Sequence, residues 1–125
     1  MKGYTLDAGA LLALERRDKF MVSLLFRALT GGLALSIPQT VVAQVWRGGS
    51  GKQVNIARLL KAGRAGAMTV LVDDLTDARA RHIGLTIGKT KHPDIVDVHV
   101  ALLAREQGHV VLTSDDNDIA AVGHT

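Results

Sequence analysis

The stretch VVLTSDDNDIAAV, Val110–Val122, is an apolar run that ends abruptly in acidic residues. A Thr-Ser pair closes the run, and three carboxylates follow at Asp115, Asp116 and Asp118. A loop after a strand needs little polarity to turn, and like charges this close repel unless a cation or hydrogen-bond donors offset them. The pattern therefore predicts a strand over 110–113 whose end carries either a solvated helix cap or part of a metal site.

Short apolar runs of this kind alternate with helical patterns along the whole chain. Further strands are predicted over 4–6, 33–37 and 67–72. Helices are predicted over 8–14, 20–29, 40–47, 52–61, 77–87 and 93–104, with a short one from about 118. Strands that alternate with helices usually pair in parallel and are covered on both faces. The sequence therefore predicts an α/β fold, a three-layer α/β/α domain with a short, mainly parallel sheet.

Length and composition indicate one domain, 1–125, with no membrane span. A chain of 125 residues can bury one core but has no room for a second domain. Apolar residues make up 47% of the sequence, yet no uninterrupted apolar run approaches the roughly 18 residues that span a bilayer. The absence of Cys excludes disulfides and thiolate zinc sites, as expected of a cytoplasmic protein. The net charge of +3 permits a polyanionic partner.

Four acidic residues are expected to meet at one edge of the sheet. Asp7 follows the first strand and Asp115 the fourth, and ligands of open parallel sheets collect beyond the carboxyl ends of strands. Asp94 and Asp97 lie in the first turns of the helix after Pro93 and share one face of it. Each acid alone could serve as a helix cap or sit favourably in the helix dipole. Together they are the oxygen ligands that a hard divalent ion such as Mg2+ prefers.

Two loops and one histidine invite functional interpretations that their context does not support. RGGSGKQ at 47–53 lacks the first Gly of a P-loop and follows a helix, so we interpret it as a turn between helices. DDND lacks the Gly and the terminal Glu of a calcium loop. His99 lies on a helix rich in Val and Leu, which predicts a partly buried, hydrogen-bonded residue rather than a ligand.

Four segments, in the right order and spacing, resemble the PIN-domain family and most closely the VapC-type toxins of bacterial toxin–antitoxin pairs. The segments are LDAGALLALE at 6–15, PQTVVAQVWRGG at 38–49, DIVDVHVALLA at 94–104 and TSDDNDI at 113–119. They extend over nearly the whole chain. The resemblance implies an α/β/α fold and a ribonuclease dependent on Mg2+ or Mn2+, whose acids hold the metal that activates water.

The resemblance also implies roles for individual residues. Asp7, Asp97 and Asp115 match the first, third and fourth family acids. Asp94 matches an acid found in part of the family, and Asp118 is an accessory candidate. The expected partners are RNA, a second copy of the chain in a homodimer, and a small VapB-like antitoxin that covers the acidic site with a basic residue. The basic residues expected to contact RNA phosphates are Arg47, Lys89 and Lys91.

Gln44 departs from the family pattern, because a Glu is expected at this position as the second acid. Neither Glu of the chain, Glu15 or Glu106, lies in this segment. A Gln carbonyl can accept a proton from water or touch a metal, but it lacks the charge, worth roughly 8 kcal/mol gross at about 4 Å and largely cancelled by desolvation. We therefore expect a catalytic Gln44 with weakened metal affinity, which Gln44→Glu would strengthen if this residue faces the crevice beside Asp7.

Two further interpretations follow from the same residues. The alternative is a catalytically weakened PIN-like module that binds RNA or a partner protein without turnover, and Gln44 is the feature that favours it. A phosphatase-like hydrolase with Asp7 as its nucleophile fits less well, because DAGA lacks the second Asp that such enzymes place two residues further on.

Overall fold

A computed structural model describes residues 2–49 and 51–113 as a parallel sheet covered by helices. The strands are β1 Gly3–Leu6, β2 Ala34–Pro38, β3 Val70–Asp73 and β4 Val110–Leu112. The helices are α1 Ala8–Glu15, α2 Lys19–Leu29, α3 Gln39–Val45, α4 Val54–Arg64, α5 Asp77–Thr90 and α6 Ile95–Gln107. The short helix predicted from about residue 118 lies outside the described residues.

The four strands pair in parallel in the order β3-β2-β1-β4. Leu6 at the end of β1 pairs with Leu112 at the end of β4. The chain first adds β2 and β3 on one side of β1 and then returns to place β4 on the other side. The strand order therefore reverses between β1 and β4, which is where open parallel sheets bind ligands beyond their carboxyl ends.

Two groups of helices cover the sheet and confirm the α/β/α prediction. Helix α6 packs against β1 and β2, with α3 and α5 beside it, while α4 packs against β3 and contacts α1 and α2. Helix α1 contacts α2, α3 and α4, and its Leu11 and Leu14 are at most 1% exposed. The segment 47–53 joins α3 to α4, as predicted for a turn between helices. No helix in the described part of the chain is long and apolar enough to cross a membrane.

A polar cluster lies inside the sheet next to β4. Thr5 and Ser36 are paired across β1 and β2, both are fully buried, and their hydroxyl oxygens are 2.7 Å apart. Nδ1 of His109 lies 2.9 Å from the Ser36 hydroxyl. The ring passes so close to the main chain that a Cβ atom on Gly3 would lie 2.3 Å from Nε2. Gly3 therefore makes room for the imidazole, and burial lowers the pKa of His109 below its usual value.

The lowered pKa of His109 predicts a loss of stability in mild acid. Because the folded-state pKa lies below the ordinary value of 6.5, the unfolded chain takes up this proton first as the pH falls. The contribution of His109 to stability is therefore intact above 6.5 and decreases as the pH falls from 6.5 towards the folded-state value. Urea unfolding between pH 8 and about pH 5 should show a smaller decrease in His109→Asn than in the wild type. Equal decreases in the two proteins would contradict the assignment.

Candidate functional site

Asp7 lies where the strand order reverses. Its main-chain N–H donates to the carbonyl of Leu112 at 3.1 Å, which ties the end of β1 to the end of β4. Its carboxylate Oδ1 accepts the N–H of Ala10 at 2.9 Å and so begins α1 as an N-cap. The cap uses one carboxylate oxygen, and a carboxylate has a second that can bind a cation. The site residues Asp115 and Asp118 lie outside the described residues.

Asp94 begins α6. Its Oδ1 accepts the N–H groups of Val96 and Asp97 at 2.9 and 3.0 Å. These bonds place the first helical residue at Ile95, two positions later than the predicted start at Pro93. Asp94 is therefore a helix cap, which was the alternative role considered for it. An N-cap of this kind typically stabilises a protein by about 1 kcal/mol.

Asp97, in the first turn of α6, has an accessible carboxylate. Its side chain is 67% exposed, and Oδ2 lies 3.9 Å from Nε2 of His92. It lines a cleft of about 290 Å3 between α5 and α6 that also contains Thr90 and Arg105, whereas Asp7 does not line this cleft. Within 2–49 and 51–113, no three His, Cys, Asp or Glu side chains form a metal-binding group. The described residues alone do not complete the predicted metal site.

Gln44 is exposed on α3 and lines a cleft of about 410 Å3 beside α1. The other lining residues are Leu12, Glu15, Val45, Arg47, Gly48, Lys52 and Gln53. Asp7 does not line this cleft, and the catalytic role predicted for Gln44 stays a prediction. The same cleft is lined by a carboxylate from a distant part of the sequence, Glu15. The local pattern around Gln44 contained no signal that Glu15 would lie in the same cleft.

Gln53 holds this cleft together. It is only 7% exposed, and its Nε2 donates to Oε1 of Glu15 and to the carbonyl of Val45, both at 2.8 Å. Its Oε1 accepts the main-chain N–H groups of Arg47 and Gly48 at 2.9 and 3.0 Å. One amide therefore satisfies two donors and two acceptors and fixes the α3–α4 turn against α1. Gln53 belongs to the segment 47–53, which the sequence indicated only as a turn between helices, so this role was not predicted.

A second polar network connects α3, α6 and β3, and the partners of its central residue, His99, were not predicted from the sequence. His99 is fully buried, with Nδ1 at 2.8 Å from the hydroxyl of Thr40 and Nε2 at 2.7 Å from Oδ2 of Asp73. The prediction of a hydrogen-bonded His99 is confirmed, and its burial is complete rather than partial. Asp73 is the last residue of β3, and an acid at a strand end was the one sequence feature that could have indicated this network.

Arg79 of α5 extends this network to the surface. Its Nε donates to Oδ2 of Asp73 at 2.9 Å, and its two terminal nitrogens donate to the carboxylate of Glu106 at 2.6 and 2.9 Å. These hydrogen bonds lower the pKa of Glu106 and raise that of Arg79. The bidentate geometry makes this pair stronger than an ordinary surface ion pair.

The predicted phosphate-binding residues lie on separate elements. Arg47 is in the α3–α4 turn, where it lines the cleft of Gln44. Lys89 and Lys91 are exposed at the far end of α5, which Lys91 closes with a left-handed φ of 62°. The structure therefore supplies cations on two elements, and only Arg47 lines a cleft that also contains hydrogen-bonding groups of α1.

Comparison with known proteins gives a likeness of fold. No family model matches the sequence, and no curated protein matches it. Among solved structures, the chain is similar to VapC20 of Mycobacterium tuberculosis, described as a sarcin-ricin loop cleaving toxin. The two share 16% identity over 96% of this chain and 95% of that chain, with a TM-score of 0.56. The chain therefore has the fold of the PIN-domain toxins, the family that its motifs resemble.

Proposed function

We propose that this chain is a metal-dependent endoribonuclease and the toxin of a toxin–antitoxin pair. The observation that carries the proposal is the position of Asp7, at the carboxyl end of β1 and bonded to the end of β4, where the strand order reverses. The likeness in fold to VapC20, a sarcin-ricin loop cleaving toxin, supports an RNA substrate. The likeness to a toxin agrees with a small antitoxin partner. A homodimer is included in the proposal only because the resemblance of the sequence motifs implies it.

Asp7, Asp97 and Asp115 would hold Mg2+ or Mn2+, with Asp94 and Asp118 as lesser contributors. Carboxylate oxygens are the donors that these ions prefer, and Mg2+ is commonly bound by one or two carboxylates together with waters and substrate phosphates. A site with few protein ligands therefore fits a metal whose remaining ligands are waters and phosphates of the substrate. When bound, such an ion lowers the pKa of a coordinated water and offsets charge on the leaving oxygen.

Two observations on the described residues support the proposed metal site. The bond to Ala10 fixes the rotamer of Asp7, so its carboxylate is oriented before any ligand arrives. The exposed carboxylate of Asp97 is accessible to a substrate as large as RNA. The phosphates of the RNA would be bound by Arg47, Lys89 and Lys91. Such contacts position the RNA without recognising its sequence.

Cleavage of a labelled single-stranded RNA by the purified chain tests the proposal. We expect cleavage with Mg2+ or Mn2+ and none in the presence of a chelator, because the proposed mechanism needs the metal to activate water. Full activity in the chelator would contradict the metal-dependent mechanism. RNA binding without cleavage under any metal condition would instead support the alternative, a PIN-like module that binds without turnover, which the uncharged Gln44 favours.

A further inference from the structure

We propose that the cleft formed by α1, α3 and the α3–α4 turn is a base-binding subsite that selects an unpaired guanine in the RNA. This inference rests on the proposed function, because it takes RNA to be the ligand of this chain. It assigns a role to Glu15, Gln44 and Gln53, none of which holds the proposed metal.

The size and the lining of the cleft suit a small, partly polar ligand. Its volume of about 410 Å3 lies within the range of roughly 300–1,000 Å3 for small-molecule sites. Leu12 and Val45 give it an apolar surface, and Leu12 is 40% exposed, which leaves apolar area for a base to cover. Sequence-specific RNA recognition depends on unpaired bases that are bound through their faces and through their Watson–Crick edges.

The polar groups of the cleft are fixed before a ligand binds. Gln53 donates to Oε1 of Glu15 at 2.8 Å and uses its remaining hydrogen-bonding capacity on the main chain at Val45, Arg47 and Gly48. The Glu15 carboxylate is therefore held in one orientation, and it can still accept hydrogen bonds at Oε2 and at the second lone pair of Oε1. Preorganisation of this kind reduces the entropy lost on binding.

The pair of Glu15 and Gln44 matches the hydrogen-bonding edge of guanine. That edge presents two donors, N1–H and the N2 amino group, next to one acceptor, O6. A carboxylate accepts both donors, and the Gln44 amide can donate to O6. Adenine and cytosine each present a ring nitrogen acceptor in place of N1–H, which a carboxylate repels. The cleft therefore makes these hydrogen bonds with guanine, whereas adenine or cytosine would leave its polar groups without partners.

The same match explains why a neutral amide stands at position 44. A Glu at this position would put a second carboxylate opposite O6, where it has no proton to donate and would repel both the acceptor and Glu15. Gln44 keeps the size of Glu and supplies the missing N–H. At the rim of the cleft, the exposed Lys52 and Arg47 supply cations for the phosphates that flank the base.

Fluorescence anisotropy with short labelled oligoribonucleotides, in chelator so that no turnover occurs, measures this selectivity. The probes are an A-rich hexamer, the same hexamer with one central guanine, and the same with inosine, which lacks the N2 amino group. We expect the wild type to bind the guanine probe roughly tenfold more tightly than the A-rich probe, with inosine in between, as one bidentate contact provides. Glu15→Gln should reduce that preference to about twofold or less.

Three further variants sharpen the test. Gln44→Glu should also remove the guanine preference, and it leaves the bond between Gln53 and Glu15 intact, so it remains informative if Glu15→Gln does not fold. Asp77→Asn removes an equal charge from an exposed position outside the cleft and should keep the full preference. Lys52→Ala should weaken the binding of all three probes alike. The salt dependence of that binding should decrease by the equivalent of about one phosphate contact.

Two outcomes would overturn the subsite. One is equal affinity of the wild type for the guanine and A-rich probes, and the other is a tenfold preference that survives both Glu15→Gln and Gln44→Glu. Cleavage is scored in a separate assay, so the two proposals fail separately. A chain that cleaves RNA without base preference overturns only the subsite, and one that prefers guanine but never cleaves overturns only the ribonuclease.

Discussion

Asp97→Asn is expected to lower the rate of metal-dependent RNA cleavage by about a hundredfold or more. The amide keeps the shape of the side chain and loses its charge, and a net loss of about 3 kcal/mol in metal or transition-state binding corresponds to two orders of magnitude in rate. Stability should stay within about 0.5 kcal/mol, because the carboxylate is 67% exposed and its ion-pair contact with His92 is long, at 3.9 Å. Initial rates in Mn2+ and a thermal melt measure the two effects.

Asp94→Asn is the matched control for this variant. Asn is as good an N-cap as Asp, so the bonds to Val96 and Asp97 can persist and α6 should still begin at Ile95. Because Asp94 already spends Oδ1 on those two bonds, we expect a smaller loss of activity than in Asp97→Asn. A folded Asp97→Asn protein that cleaves RNA at the wild-type rate would refute the role of Asp97.

The fold was predictable because local patterns determine its elements and general rules determine how they assemble. Each predicted strand and helix within the described residues is present, with its ends shifted by a few positions. Asp7 and Gly108 illustrate why, since an N-cap Asp and a left-handed Gly are local signals that fix helix ends. The strand order was not predictable, because the position of β4 beside β1 depends on a crossover that no local pattern encodes.

The candidate site was predictable only in part, for the same reason. The carboxyl ends of parallel strands lie at one edge of the sheet, so the position of Asp7 could be predicted from the sequence alone. The clamp of Gln53 on Glu15 joins residues far apart in the chain, and the bond of His99 to Asp73 joins α6 to β3. Such pairs depend on how helices are oriented after packing. Periodicity tells which face of a helix is apolar but not which polar partner it meets.

His99→Leu is expected to have the largest effect on stability, a loss of about 3 kcal/mol. Leu can fill the space of the ring, but it makes no hydrogen bonds, so the buried hydroxyl of Thr40 loses its partner at 2.8 Å and Asp73 loses its partner at 2.7 Å. Each buried polar group left unpaired costs about 1–3 kcal/mol. For a chain of 125 residues this corresponds to a decrease of roughly 10 °C in the melting temperature.

A double-mutant cycle shows whether this loss comes from the hydrogen bonds. Adding Thr40→Val to His99→Leu removes the stranded hydroxyl, so the double variant should regain about 1 kcal/mol, whereas Thr40→Val alone should destabilise the chain. Asp73 keeps its bond to Arg79 at 2.9 Å in every variant, which limits the cost on that side. Additive effects of the two substitutions in urea unfolding would mean that Thr40 and His99 are not coupled.

The position of His99 gives this stability effect a functional consequence. His99 lies two residues after Asp97 on α6, and its bonds attach that helix to Thr40 on α3 and to Asp73 at the end of β3. Loss of these bonds would loosen the element that presents Asp97 to the metal and the RNA. In folded His99→Leu below its melting temperature, we therefore expect a lower kcat with little change in RNA affinity in chelator. The reverse pattern, weaker binding at unchanged kcat, would show that His99 does not position Asp97.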